Sequence, residues 1–241
     1  MAYGIITGSA LYNLPQLKLK EQLIQTHYGD TKVFLSTEVD PPLVFIPRHG
    51  VNHTIPPHKI NYRANLMALK TLGVTKILAA YAVGSINPDI PPLSMVALND
   101  FIDFTNGRIS TFFDGEKEVV EHTEMSQPYD PILHQQILQT ANSLNIQVRE
   151  KGIYVCSNGP RLETPSEIRM FRLLGADVVG MTGVPEVVLA KELNIPFAAI
   201  AFSVNWAAGI EKTVRFLEEG LEDLTANLIN LMLRTLYNFE E

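Results

Sequence analysis

Cysteine is nearly absent from this chain. Cys156 is the single thiol, so no internal disulfide can form, and inside a predicted strand it reads as an inert buried thiol of a reducing compartment. Runs of Lys and Arg are absent too. The 19 basic and 26 acidic residues leave a formal net charge of −7, and so thin and mildly acidic a distribution argues against a nucleic-acid surface. No apolar run is long enough to span a membrane. The N-terminus enters the apolar strand AYGII directly, without the basic segment and long apolar core of a secretory leader. These absences point to a cytoplasmic protein that engages neither nucleic acid nor membrane. Metal chemistry lacks its usual sequence support as well. His49, His53 and His58 lie in PRHGVNHTIPPH, but the stretch is not an HExxH helix, and Pro56-Pro57 forbids one. No metal and no cofactor are expected.

What the chain does have is alternation. Over 241 residues, short β-branched apolar runs at Tyr3 to Ile6, Leu43 to Ile46, Lys76 to Tyr81, Met95 to Leu98, Gly152 to Cys156, Val178 to Met181 and Phe197 to Phe202 read as strands. Helical patterns fall between them. Asn61 to Leu72 is closed by Gly73, another helix begins near Pro165, and Pro185 to Leu193 starts with proline in its first turn. The pattern predicts an α/β fold, a single domain over residues 1–241 with a mixed, largely parallel β-sheet flanked by helices. The last thirty or so residues read as one amphipathic helix, with Val214, Leu217, Leu221, Leu224, Leu228 and Leu231 on a core-facing stripe. The irregular, aromatic segment from Asp100 to Pro131 is too long for an ordinary connection and is the candidate subunit contact.

The most informative stretch is SNGPRLETPSEIRMFRLLGADVVGMTG, Ser157 to Gly183. Glu163 follows the break at Gly159-Pro160 and precedes a helix, where it is either a ligand-reading carboxylate or a helix-capping acid. Gly8 and Ser9 follow the first strand, and a turn there can offer N–H groups and a hydroxyl to an anion. The stretch shows neither GxGxxG nor GxxxxGK[ST], so the motif alone is weak. Arg48 and His49 end the strand LVFIP, where carboxyl ends of sheet strands present ligand-binding groups. Arg supplies a fixed fork suited to phosphate oxygens, with His as a second donor. Asn205 follows PFAAIAFSV at another carboxyl end, and its amide is both donor and acceptor.

These segments occur together in order: ITGSAL, PRHG, NYRANLMALK, AVGS, GPRLETPSE, MTGVPEVVLAKE and AFSVNWAAG. In that combination the chain resembles, over nearly its whole length, the trimeric purine nucleoside phosphorylase and methylthioadenosine phosphorylase family, with the methylthioinosine phosphorylases nearest in pattern. The resemblance implies that Ser9, Arg48, His49, Tyr81 with Ala82, and Thr182 converge on inorganic phosphate, which is a co-substrate. Tyr81 stands where relatives carry smaller residues. It implies a purine read by Glu163 and by Asn205, the candidate catalytic residue, with Met181 against the ribose. Ionised Glu163 only accepts, so the pair matches a 6-oxopurine, which presents N1–H as donor and O6 and N7 as acceptors. Methylthioadenosine phosphorylases carry aspartate in place of Asn205. The segment WAAGIEKTV has no histidine to meet a 5′-hydroxyl, and Ile210 with Val214 suits a methylthio group instead. His53, Tyr129 and a neighbouring subunit's copy of His122 are candidates to close that end. The expected enzyme is a homotrimer cleaving S-methyl-5′-thioinosine with phosphate. A general inosine/guanosine phosphorylase and a catalytically weak nucleoside-binding protein are the alternatives.

Overall fold

The computed structural model describes residues 1–8, 11, 14–115 and 120–237. Among them the strands are β1 Ala2–Thr7, β2 Lys20–Thr26, β3 Gly29–Ser36, β4 Leu43–Pro47, β5 Val74–Ser85, β6 Met95–Ala97, β7 Asp100–Asp103, β8 Val148–Arg149, β9 Ile153–Cys156, β10 Val178–Gly180 and β11 Phe197–Trp206. The helices are α1 Tyr62–Thr71, α2 Pro131–Ser143, α3 Pro165–Leu173, α4 Gly183–Glu192 and α5 Leu221–Leu236. All seven predicted strands are present. The additional β2 and β3 form an edge hairpin whose residues are mostly exposed, so they lack the apolar runs that reveal the inner strands.

The strands form one mixed sheet in the order β2-β3-β4-β1-β5-β10-β9-β7, with β11 on the other edge of β5, followed by β6 and β8. Twelve-residue β5 is the hub. It runs parallel to β1 from Val74 to Ala79 and parallel to β11 from Ile77 to Ser85, and meets β10 antiparallel only at Gly84 and Ser85. On its β1 edge, therefore, residues 80 to 83 have no strand beside them. A cavity opens there.

Side chains of β5 alternate between two cores, as strand periodicity requires. Ile77, Ala79 and Tyr81 pack with α1 and α4 through Leu66, Leu69, Val187 and Leu189. Leu78 and Ala80 pack with α2 and α5 through Leu133, Ile137, Leu228 and Leu231. Helix α2 starts with Pro131 in its first turn and Asp130 as its cap, the Asp130 carboxylate accepting from the Leu133 N–H.

One expectation needs correction. The C-terminal helix begins only at Leu221, after Gly220 at φ 82°. Val214 and Leu217 precede it and line a cavity together with Leu221, so the upper part of the stripe is a cavity wall rather than core. The segment from Asp100 to Pro131, the candidate subunit contact, makes several hydrogen bonds within its own chain. Thr111 Oγ1 and the Phe112 N–H donate to the Glu192 carboxylate, both at 2.7 Å, and Arg108 donates to the carbonyls of Val184 at 2.7 Å and Asn158 at 2.8 Å. Among the described residues no helix is long and apolar enough to cross a membrane.

Candidate active site

A cavity of about 360 Å³ lies at the carboxyl ends of β4, β5, β10 and β11. Its wall gathers most of the residues singled out in the sequence: Arg48, His49, His53, Ala82, Glu163, Met181, Thr182, Asn205 and Val214. A larger groove of about 820 Å³ between α2 and β8 holds none of them. Ser9 lies outside the described residues.

Arg48 is buried and paired in fork geometry with Glu186, Nε to Oε1 and Nη2 to Oε2, each at 2.9 Å. Its Nη1 donates to the Ala80 carbonyl at 2.8 Å and its Nη2 to that of Ile6 at 3.2 Å. These contacts tie β1 to β5 where their ladder has ended. Burial opposes the guanidinium charge, but the attraction of Glu186 and its hydrogen bonds outweigh it and raise the pKa. Tyr81 is not on the cavity wall. It lies behind it, its ring centroid 4.7 Å from the Arg48 guanidinium carbon and its hydroxyl donating to Glu186 Oε2 at 2.9 Å. Gly8 has to be glycine: a β-carbon there would stand 2.7 Å from Arg48 Nη1 and 3.2 Å from the His49 ring.

His49 is neutral. Burial first, then the nearby charges of Arg48 and His53, pull its pKa from 6.5 to about 4, against the opposing effect of its bond to Ile55. Nδ1 lies 2.8 Å from the Ile55 carbonyl, so in the neutral ring Nδ1 carries the proton and Nε2 is an acceptor. In that tautomer Nε2 is the ring nitrogen left for a ligand, and it becomes a second donor only when the ring is protonated. The same shift links stability to pH. Between pH 6.5 and about 4 the unfolded chain binds a proton on this residue that the folded chain does not, so the contribution is complete above pH 6.5 and is lost as pH falls through that window. Thermal melts across pH 4–7 should show a steeper acid decline in wild type than in His49→Gln; parallel curves would refute the assignment.

The side that holds Glu163 and Asn205 is built differently. Helix α3 is capped by Thr164, whose side chain accepts from the Glu167 N–H while Glu167 accepts from the Thr164 N–H. With the cap filled, Glu163 is left to the cavity. Its Oε1 accepts from Ser157 Oγ, which leaves Oε2 for a ligand. Asn205 is re-aimed by a bulge in β11, where pairing with β5 slips between Ser203 and Asn205. Its Nδ2 donates to the Trp206 carbonyl at 2.7 Å, leaving one N–H and the amide oxygen.

Thr182 follows β10, and its N–H and that of Gly183 both donate to the buried Tyr154 hydroxyl at 3.1 Å. Met181 passes Gly159, whose φ of 61° and missing β-carbon make room for the thioether. The apolar end of the cavity is formed by Val214, Phe216, Leu217 and Leu221. Ile210 is exposed and does not line it, while Tyr129 is buried beside Phe197 in the core. His122 is exposed and outside the cavity of its own chain. Sequence reading missed Glu186, Ser157, Phe216 and the wall role of Leu217. For Glu186 a signal existed: an acid inside the apolar run VPEVVLA is fully buried only with a partner. Among the described residues no group of three or more His, Cys, Asp or Glu could hold a metal.

Comparison with known proteins agrees with this geometry. Residues 2–236 match the Phosphorylase superfamily. A probable 6-oxopurine nucleoside phosphorylase of Moorella thermoacetica is 47% identical over 96% of this chain and 89% of its own length. A probable S-methyl-5′-thioinosine phosphorylase of Methanopyrus kandleri is 44% identical over 91% and 84%. In structure, an adenosine/methylthioadenosine phosphorylase of Schistosoma mansoni, a double mutant in complex with adenine, superposes with a TM-score of 0.92 at 31% identity, covering 98% of this chain and 90% of that one. Matched along nearly its whole length in both sequence and fold, this chain belongs to the Phosphorylase superfamily.

Proposed function

We propose that the protein is a pentosyltransferase that cleaves a 6-oxopurine nucleoside with inorganic phosphate, and that its preferred substrate is S-methyl-5′-thioinosine, giving hypoxanthine and 5-methylthioribose 1-phosphate. The observation that carries the base choice is the pairing of an acceptor, Glu163 Oε2, with a donor, the second Asn205 N–H, on one cavity wall. N1–H meets the carboxylate, and the amide meets O6 or N7. Phosphate sits between Gly8, Arg48, His49 and Thr182, with Ser9 supplying its hydroxyl and Ala82 backbone groups. As the glycosidic bond lengthens, negative charge grows on the purine and the Asn205 N–H stabilises it in place, as an oxyanion-hole donor does. Phosphate below the sugar stabilises the cation that develops there and is already positioned to bond to it.

The apolar Val214, Phe216, Leu217 and Leu221 wall supports 5′-methylthio over 5′-hydroxyl. Burying a methylthio group there is favourable, whereas a hydroxyl would lose hydrogen bonds to water. The Moorella thermoacetica relative's name favours the broader inosine/guanosine reading. Side-by-side kcat/KM for methylthioinosine, inosine and methylthioadenosine tests the choice; equal rates for the first two would refute the methylthio preference. Phosphate-dependent release of hypoxanthine separates an enzyme from a nucleoside-binding protein. The assembly is expected to be a homotrimer in the cytoplasm, with the Phe112, Phe113 and His122 segment near a neighbour's ligand. A chain that sediments as a monomer and is active at that concentration would overturn this.

A further inference from the structure

Arg48 faces the anion site with fewer free donors than its type suggests. A guanidinium carries five N–H donors. Nε and one N–H of Nη2 are bound by Glu186, the other Nη2 donor by the Ile6 carbonyl, and one Nη1 donor by the Ala80 carbonyl. A single N–H on Nη1 is left. It is also Nη1 that a β-carbon on Gly8 would strike, so Nη1 lies against the turn that follows β1. Glu186 in turn accepts three bonds, two from Arg48 and one from the Tyr81 hydroxyl. Glu186 is fully buried and Tyr81 is 1% exposed. Neither lines the cavity.

We propose that Glu186 and Tyr81 are positioning residues for phosphate: Glu186 holds and neutralises Arg48, and Tyr81 locks Glu186 from behind, so that the guanidinium presents one fixed N–H to the anion. This rests on the reading of the cavity as a phosphate site. Tyr81 serves twice, since its ring also lies under the guanidinium at 4.7 Å, a distance at which a cation is attracted to an aromatic face. Burial first, and the Glu186 charge next, push the phenol pKa well above its ordinary value, so the hydroxyl remains a donor. With Arg48 and Glu186 cancelling and His49 neutral, the anion is held mainly by directed donors rather than by net positive charge. That makes binding depend on angle and distance, the condition under which a residue behind the wall matters.

The test uses the full-length enzyme and four variants: Tyr81→Phe, Glu186→Gln, the double variant of both, and Arg48→Ala. KM is measured separately for phosphate and nucleoside, and inorganic phosphate binding is titrated by calorimetry. Tyr81→Phe should raise the phosphate KM and Kd roughly three- to tenfold, less than the full worth of a hydrogen bond to a charged group because the lost bond reaches the anion only through Glu186 and Arg48, with the nucleoside KM within about twofold of wild type. Glu186→Gln should raise them by about tenfold or more. The double variant should be no worse than Glu186→Gln, because Tyr81 acts through Glu186. If Glu186→Gln does not fold, Tyr81→Phe carries the test alone. Wild-type phosphate KM in folded Tyr81→Phe, or both KM values rising together, overturns the positioning role. Arg48→Ala separates the two layers: if it too keeps wild-type phosphate dependence, the phosphate site itself is misplaced, whereas if it loses phosphate and Tyr81→Phe does not, only the positioning role fails.

Discussion

Arg48→Ala is expected to cut kcat/KM for phosphate by on the order of 10²-fold while destabilising the fold by about 3–5 kcal/mol. Two separate losses combine. The anion loses one charge-assisted N–H, worth about 1.5–3 kcal/mol. Glu186, fully buried, loses the partner of both its oxygens and becomes an uncompensated charge next to an anion site. Removing one member of a buried pair costs far more than the pair contributes net, because the stranded ion cannot recover its water. The double variant Arg48→Ala with Glu186→Gln distinguishes the losses. It should regain most of the melting temperature, since no charge is left buried, and should regain only the phosphate affinity lost to Glu186 repulsion, staying well below wild type because the Arg48 N–H is still missing. Urea melts and phosphate titrations of both variants decide it. Wild-type phosphate dependence in either variant would move the site elsewhere, and a double variant no more stable than Arg48→Ala would refute the buried pair as the source of the instability.

The inner sheet was legible because its strands are buried on both faces. β1, β4, β5 and β11 therefore appear as continuous apolar runs, and the residues just beyond them, Arg48, His49 and Asn205, follow from the position of strand ends. β2 and β3 were not legible for the opposite reason: an exposed edge hairpin needs few apolar residues. The residues behind the site were harder still. Nothing in the local pattern around Tyr81 tells a backbone-only role from a side chain engaged with Glu186, because that bond spans 105 residues. Val214 and Leu217 show a related limit. Their spacing continues the period of α5, yet the helix starts only after Gly220 in the left-handed region, which leaves them outside it on the cavity wall. Glu163 shows the reverse: TPSE already spells a capping box, Thr164 with Glu167, which leaves Glu163 free of the capping role.

Wild-type enzyme should favour methylthioinosine over methylthioadenosine by roughly 10²–10⁴-fold in kcat/KM, and Asn205→Asp should narrow that ratio by at least about tenfold. With adenine in the site, N1 has no proton to give, so Glu163 Oε2 meets a lone pair, and the Asn205 N–H meets the N6 amino group. Two buried groups lose partners at once, at about 1–3 kcal/mol each. In Asn205→Asp the residue becomes an acceptor, which suits an amino group and repels O6, so the 6-oxo substrate should lose about 10²-fold. The same change has a local cost. The Asn205 Nδ2 donor to the Trp206 carbonyl, 2.7 Å away, is replaced by an oxygen facing an oxygen, and relief requires the new carboxyl to rotate or to hold a proton. A protonated carboxyl has one O–H, which serves either the Trp206 carbonyl or O6 and so relieves one of the two oxygen–oxygen contacts, and the loss on methylthioinosine should be smaller at pH 5.5 than at pH 8, in contrast with a wild-type Asn205 that does not titrate. Full conversion to an adenine site is not expected, because Glu163 still presents an acceptor to N1. Adding Glu163→Gln to the Asn205→Asp variant removes that obstacle by supplying an N–H, and should favour the 6-amino substrate further. If Asn205→Asp leaves the substrate ratio unchanged at both pH values, Glu163 and Asn205 do not read the base.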